Sequence, residues 1–501
     1  MNPRWLDLFV VVLYLIGMAL IGLRFRKGQT TTETFFIAKR SVPSWAMGLS
    51  MMATLISSVT FVAYPGASYA KDWSLLVPGF MVVVTLVIAG SIIIPFYRKE
   101  VGMSAYEYFE ARFGRPTRIY ASVAFSLAHF SKMGFVFYLM GLTISSMTGW
   151  NIDAVIIGVG IIMIFYTMIG GMEAVIWTDV IQAFVCWIGV FVTLGYLLFL
   201  PPGGPSAVFE IAARNNKFSF GDPTLSFSKP TILVSIIYGF FWYMQRYVAD
   251  QTVVQRYLIA KSDRGALKGV ALGACLTVPV WALFMLVGTS TWAFYKLTAI
   301  AIPASITKAD QVFPYFVNTQ LPPGIAGLFM ASLIGAAMTM LASDLNSMAT
   351  VGVVDFYRAL RPNSNDQQRL GMAKIIIAVV GALAACAGLI LAHTKGNALS
   401  MWFAVSAMVS GGLCGLFLLA YFSKRANAQG VYIGMAASTA CTIWAVLTKG
   451  AKPLVDLGAW NFGWDDLMIG AVGNVVLFAV GFAASFLFTK SQQQNIASIQ
   501  P

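Results

Sequence analysis

Thirteen apolar segments follow one another along this chain of 501 residues, at about 5–23, 43–69, 75–97, 119–148, 153–171, 175–200, 231–255, 266–293, 324–350, 372–392, 400–421, 430–448 and 465–489. A bilayer core takes roughly 20 apolar residues per helix. Hydrophobic residues make up 58% and charged residues 11%, against about 25% charged in a soluble domain. Mean hydropathy is +0.76. These values exclude a soluble globular enzyme and a disordered protein. They predict an all-α polytopic membrane protein, a single domain embedded in the lipid bilayer.

The first segment lacks a small-residue cleavage site, so it reads as a span and not as a signal peptide. Each of the five Cys lies inside an apolar run and none forms a CxxC, so they read as core residues. His129 and His393 are far apart in sequence, and a zinc site is not expected. The net charge of +13 has no basic run interleaved with aromatics, so no nucleic-acid partner is expected. Cytoplasmic loops collect Lys and Arg instead. With the N-terminus outside, the inner loops hold 21 of the 33 basic residues, the outer loops hold 10, and Lys132 and Arg246 stay inside spans. The expectation is a plasma (inner) membrane protein, N-terminus outside and C-terminus cytoplasmic. The largest loops, about 201–230 and 294–323, then lie outside and read as Pro-, Gly- and polar-rich connections.

Two spans look broken. The second contains Ala53-Thr54-Leu55-Ile56-Ser57-Ser58-Val59-Thr60, and the seventh contains Tyr243-Met244-Gln245-Arg246-Tyr247-Val248-Ala249-Asp250-Gln251. Interruptions at corresponding places in two halves point to an inverted-repeat transporter. Unwound backbone is tolerated at membrane depth only where it lines a cavity or is buried in protein. Packing through small residues is the plainer alternative for the Ser/Thr cluster. Farther on, Gly170-Gly171 ends one span, and Asp179 falls two turns into the next. A carboxylate there costs roughly 2.5–3.5 kcal/mol, so it must face the bundle interior and meet a cation or a donor.

The run from Tyr166-Thr167-Met168-Ile169-Gly170-Gly171-Met172-Glu173 to Trp177-Thr178-Asp179-Val180-Ile181-Gln182 resembles the signature of the sodium/solute symporter family. Asp250-Gln251-Thr252-Val253-Val254-Gln255-Arg256 is similar to the family's DQxxVQR segment. Ser343-Asp344-Leu345-Asn346-Ser347 with Val354-Asp355-Phe356-Tyr357-Arg358 is similar to its SxLNS…DxY run. Ser104–Phe113 and Lys424-Arg425-Ala426-Asn427-Ala428 fit as well, the latter especially the sialic-acid branch. The matches run from about residue 30 to 430.

The resemblance implies a leucine-transporter-type core of two five-helix inverted repeats, at residues 41–421. A preceding helix lies within 1–30 and two further helices within 430–489. It implies sodium-coupled import of a small polar organic solute (a sugar, a sugar acid such as sialic acid, or a monocarboxylate) by alternating access. It places sodium between the second and ninth spans, on carbonyls of Ala53, Ile56 and Ala336 and the hydroxyl of Thr339. Met340 follows where the family usually has a second hydroxyl. Asp179 and Ser343 match positions of a second sodium in some members, and Asp179 reads equally as a structural or gating carboxylate. Met340 and Ala342 lack the oxygens to complete that second site, so one sodium per cycle is expected.

The solute is expected between the broken spans and spans three and four. Candidate groups are Ser57, Thr60, Asp72, Lys132, Tyr243, Gln245 and Arg246. Lys132 stands where sialic-acid relatives carry an Arg, and supplies the charge without the fork; pairing with a carboxylate is its alternative. Arg246 suits a carboxylate or phosphate, or pairs with Asp250 or Asp72. Leu55 and Gly79 replace polar residues of the sialic-acid branch. Phe61, Trp73, Phe241, Trp242 and Tyr247 read as gates or as packing. Lys132 and Arg246 together favour a carboxylated solute. Proton-coupled or uncoupled transport on the same fold is the alternative. A membrane enzyme would need clustered carboxylates or an aqueous domain, and a solute sensor would need a signalling domain, so neither an enzyme nor a sensor is expected. A monomer suffices for this function, and the sequence leaves the oligomeric state open.

Overall fold

In hydrocarbon every backbone N–H and C=O must be satisfied within the protein, which leaves helices as the economical solution for an apolar chain. The computed structural model describes residues 5–304, 306–394, 412–450 and 453–488, and no strand forms among them. The helices are α1 (Trp5–Phe25), α2 (Thr32–Ile37), α3 (Ser44–Leu55), α4 (Ser58–Ala70), α5 (Val77–Glu100), α6 (Glu107–Phe113), α7 (Arg115–Thr148), α8 (Ile152–Phe199) and α9 (Gly204–Arg214). They continue as α10 (Ile232–Ala249), α11 (Gln251–Ile259), α12 (Asp263–Thr298), α13 (Val312–Gln320), α14 (Ile325–Val351), α15 (Asp366–His393), α16 (Leu413–Phe422), α17 (Ala428–Thr448) and α18 (Met468–Ala484).

Every expected span carries helix over its described part. Most of the eleventh, with Lys395, lies outside the described residues, as do Lys452, Lys490 and the C-terminal tail. Among the described residues, seven helices are long and apolar enough to cross a membrane unaided, and α3 with α4 forms a further span bent by 58°.

Two breaks fall where the sequence placed them, and one expectation needs correction. The fifth and sixth spans follow each other directly along the 48 residues of α8 and are divided by a swivel at Gly171. At 1.5 Å per residue α8 is about 72 Å long, more than twice a bilayer core of about 30 Å, so the run crosses twice and turns at the swivel. The seventh span stays helical through Tyr243–Ala249 and breaks at Asp250, near the end of the polar run. The two large loops are not plain connections: α9 lies in the first, and the end of α12 with α13 in the second.

Close packing sets the broken second span in place. Gly265, Gly269 and Gly273 recur every four residues on α12, the small-residue spacing that lets two backbones approach. A Cβ on Gly269 would sit 2.8 Å from the Ser44 carbonyl, and one on Gly273 would sit 3.0 Å from that of Gly48. At the other end of the bundle, Asp7 of α1 accepts from the backbone N–H groups of Gly324 and Gly327 at 2.6 and 2.8 Å. A carboxylate at a helix N-terminus is favourable in charge, and it docks α1 against α14.

Gly171 adopts φ 57° and ψ −158°, close to a region only glycine occupies at ease. A Cβ there would also lie 2.9 Å from Gln29 Oε1, the Phe35 carbonyl and the Phe35 ring. Gly171→Ala is expected to destabilise the protein by about 1–3 kcal/mol, read as a lower melting temperature in detergent. The control, Gly158→Ala, meets no atom within 4 Å and should leave the melting temperature unchanged.

Candidate functional site

The site is organised by α11, nine residues that are all buried although five of them carry polar or charged side chains. Buried polar groups need partners, and these find them on several surrounding elements. Gln251 accepts from the Ala105 N–H and donates to the Met103 carbonyl, both at 2.7 Å. Gln255 donates to Asn346 Oδ1 at 2.8 Å and accepts from Ser347 at 2.9 Å. Arg256 turns to Asp179 of α8. The sequence segments singled out separately thus meet around one short helix. Ser104 and Asp355 join two of them again, with Ser104 donating at 2.8 Å and Arg118 donating to the other oxygen at 2.6 and 2.8 Å.

Asp179 and Arg256 form a fully buried pair. Arg256 Nη2 lies 3.1 Å from Asp179 Oδ2 and 2.7 Å from Ser343 Oγ, its Nε donates to Ser50 Oγ at 3.1 Å, and its Nη1 donates to the Thr252 carbonyl at 2.7 Å. Ser50 donates in turn to Asp179 Oδ2 at 2.5 Å. Four helices, α3, α8, α11 and α14, are tied at this point. Asp179 Oδ1 is buried and has no hydrogen-bond partner. One turn along α8, Gln182 Oε1 accepts a hydrogen bond from Thr339. Asp179, Gln182, Thr339 and Ser343 therefore offer oxygens across the α8–α14 seam.

The break between α3 and α4 is closed locally. Ser57 Oγ accepts from the Val59 N–H at 3.2 Å and Thr60 Oγ1 from the Ser57 N–H at 3.3 Å, a capping box that frees the next helix to start. Both hydroxyls keep a proton to donate. Ala53 and Ile56 lie at this break and are buried, with the Ile56 N–H on the Ala53 carbonyl at 3.2 Å. Ala336 and Thr339 are buried on α14, which packs against α3.

A second charged cluster meets α14 at Asp344, the residue next to Ser343. Lys132 Nζ is 2.8 and 3.0 Å from the two oxygens of Asp344 and 3.1 Å from His129 Nδ1. His129 reaches Asp344 at 2.8 Å and Asp250 at 3.2 Å. Asp250 also pairs with Arg246 and caps α11 through the Thr252 N–H at 2.9 Å. Arg246 Nε is buried with no partner, and the guanidinium lies 6.0 Å from the Trp242 ring centroid.

The remaining candidates fall elsewhere. Asp72 accepts from the Ser74 N–H at 3.0 Å in the turn after α4, beside neither Lys132 nor Arg246. Tyr243 is buried 5.9 Å from Trp281, and Gln245 is half-buried on α10. Phe61 packs at 4.6 Å against Phe284, and Trp73 donates to Thr289 at 2.9 Å.

Sequence reasoning passed over His129 and Arg256 as members of the site. The signal was available for the first: His129 and Lys132 are spaced i, i+3 on one helix and so share a face. Arg256 needed only the rule that a buried carboxylate such as Asp179 requires a partner.

The profile of the sodium:solute symporter family matches residues 35–437. The chain is 32% identical over 491 residues to the sodium/sialic acid symporter SiaT of Proteus mirabilis, covering 96% of this chain and 95% of that one. It is 30% identical over 487 residues to the sodium/sialic acid symporter NanT of Aliivibrio fischeri, covering 96% and 93%. A solved structure of a Na+-coupled sialic acid symporter, outward-open and substrate-bound, superposes with a TM-score of 0.89 at 30% identity over 98% of this chain and 99% of that one. The nucleobase-cation-symport-1 transporter Mhp1, 17% identical with a TM-score of 0.58 over 90% and 94% of the two chains, shares the fold. This chain belongs to the sodium:solute symporter family, and is a sodium-coupled transporter with a leucine-transporter-type core.

Proposed function

We propose that the chain imports a small carboxylated organic solute, a sugar acid of the sialic-acid kind or a monocarboxylate, together with sodium. Arg246 carries this reading. A guanidinium held by Asp250, with a buried Nε left over, keeps a directed donor for one more acceptor. Lys132 is the weaker candidate because Asp344 already holds it. Ser57 and Thr60 retain hydroxyl protons for the solute, and Tyr243 and Gln245 lie one turn or less from Arg246 along the chain. Asp72 serves the turn it caps.

Sodium takes hard oxygen ligands. The set is the carbonyls of Ala53, Ile56 and Ala336 with the Thr339 hydroxyl. Asp179 and Ser343 form the second, more weakly furnished position, supported by the unpartnered Asp179 Oδ1. The ion bridges α3 to α14 and so favours the state in which the solute site is complete. Inward passage of one sodium yields about 2.3 kcal/mol per 100 mV. Residues 41–421 form the inverted-repeat core, with one helix before it and two after it. The N-terminus is outside and the C-terminus cytoplasmic in the plasma (inner) membrane, and a single chain suffices.

Thr339→Ala is expected to raise the sodium concentration for half-maximal uptake by about threefold to tenfold, the loss of one neutral oxygen contact; Asp179→Ala should also reduce sodium-dependent uptake. Unchanged sodium activation in both variants would sink the assignment. In proteoliposomes, Arg246→Gln should weaken uptake of N-acetylneuraminate or lactate by about 10- to 100-fold, as for a charged hydrogen bond, and an unaffected affinity would remove the case for an anionic solute. Arg256→Gln strands Asp179 in the core and should cost about 3–5 kcal/mol, read as lost folded yield. Asp179→Asn combined with Arg256→Gln should recover part of that yield.

A further inference from the structure

Trp281 of α12 is buried and belongs to neither the proposed sodium set nor the proposed solute groups. Its indole lies where α4, α5 and α10 meet. Tyr64 of α4 stacks on it with centroids 6.1 Å apart and planes at 26°, and Tyr243 of α10 lies 5.9 Å from it. A Cβ on Gly79 of α5 would sit 2.7 Å from the indole, so the glycine is what leaves the ring its room. Tyr64 stands four residues after Thr60 on α4, and Tyr243 three residues before Arg246 on α10. Residues at these spacings share a helix face. The indole therefore covers the faces of both broken spans that carry proposed solute groups.

The ring has little room to retreat. Two turns along α12, Gly288 brings that helix onto the Pro65 carbonyl of α4. Gly239 of α10 lies against Pro78 of α5, where a Cβ would be 2.6 Å from the carbonyl. The four helices around the indole are thus held at close approach. A tryptophan is a costly choice for such a place. Its Nε1 donates and never accepts, and here it is buried with no hydrogen-bond partner among the described residues. An unmet buried donor is destabilising, and phenylalanine would supply a ring without that cost. A solute that brings an acceptor oxygen would satisfy this N–H.

We propose that Trp281 sets the specificity of the solute site and restricts it to a short hydroxy- or oxo-monocarboxylate. Arg246 takes the carboxylate, and the Trp281 N–H donates to the one further oxygen. The indole occupies the space among α4, α5 and α10 that a sugar-sized acid would need, so a larger solute meets a clash instead of a contact. This inference rests on the carboxylated-solute reading and narrows it: of the two kinds of acid named there, the indole admits the smaller.

Uptake into proteoliposomes under a sodium gradient is compared for lactate, propionate, N-acetylneuraminate and galactose. The wild-type protein should prefer lactate to propionate, which has no oxygen beyond its carboxylate, by about threefold to tenfold, the worth of one neutral hydrogen bond. It should exclude N-acetylneuraminate. Trp281→Phe keeps an aromatic ring and removes the donor, and should abolish the preference for lactate. A mere loss of packing would lower both rates together and leave their ratio unchanged. Trp281→Ala should let N-acetylneuraminate compete with lactate about tenfold better than in the wild type. Equal uptake of lactate and propionate by the wild type, or a preference that survives Trp281→Phe, overturns the proposal. If Trp281→Ala does not fold, the wild-type and Trp281→Phe comparisons decide. Uptake of N-acetylneuraminate by the wild type overturns this inference alone. Uptake of galactose and of none of the acids overturns the carboxylated-solute reading and this inference with it.

Discussion

The pairing of Asp179 with Arg256 is the constraint on which the core depends. Removing one partner of a buried pair costs about 3–5 kcal/mol, because the survivor is left charged and unsolvated. The pair draws its remaining hydrogen bonds from Ser50, Ser343 and the Thr252 carbonyl, so α3, α8, α11 and α14 are fixed relative to one another by a single guanidinium. Two of them, α3 and α14, carry the proposed sodium ligands. The proposed ion site and the fold's central electrostatics therefore share these helices.

That arrangement gives coupling a physical route. Every residue of α14 from Phe329 to Val351 is buried, so any movement of the helix is felt on all sides. Ser343 faces Arg256, and its neighbour Asp344 faces Lys132 and His129. Asp250 stands at the break that begins α11 and touches His129 and Arg246. Any shift of α14 therefore reaches the cluster of Lys132, His129 and Asp250 through adjacent residues of one helix, with no long relay.

Much of this was legible in the sequence. Apolar segments gave the spans because a bilayer leaves the backbone little choice. Asp179 declared itself because a carboxylate inside an apolar run is costly. The break after Leu55 was visible as a polar knot, and Ser57 and Thr60 sit at capping-box spacing. The break at Asp250 falls near the end of the polar run because polar residues on α10 tolerate helix when they face the bundle; the Asx cap on Thr252 fixes the boundary within that run. His129 was dismissed as one of two distant histidines. Its partners lie 121 and 215 residues away, and no local pattern announces a contact across such separations. The helices α9 and α13 were missed because short amphipathic helices outside the bilayer carry too little apolar length to stand out from a loop.

The magnitudes limit what the cycle can do. One sodium ion moving down 100 mV supplies about 2.3 kcal/mol. That is less than the roughly 3–5 kcal/mol needed to strand one member of the Asp179–Arg256 pair. Sodium therefore cannot work by breaking this pair outright. The proposed ligand set on α3 and α14 leaves the pair intact, and any movement of these helices can pass the guanidinium from one oxygen acceptor to another without an unpaired interval. Ser343 and the Thr252 carbonyl already share the guanidinium with Asp179, so a small rotation can exchange acceptors at little cost. The hydroxyl-rich surroundings of Arg256 are what make a fully buried charge pair compatible with a helix bundle that has to move.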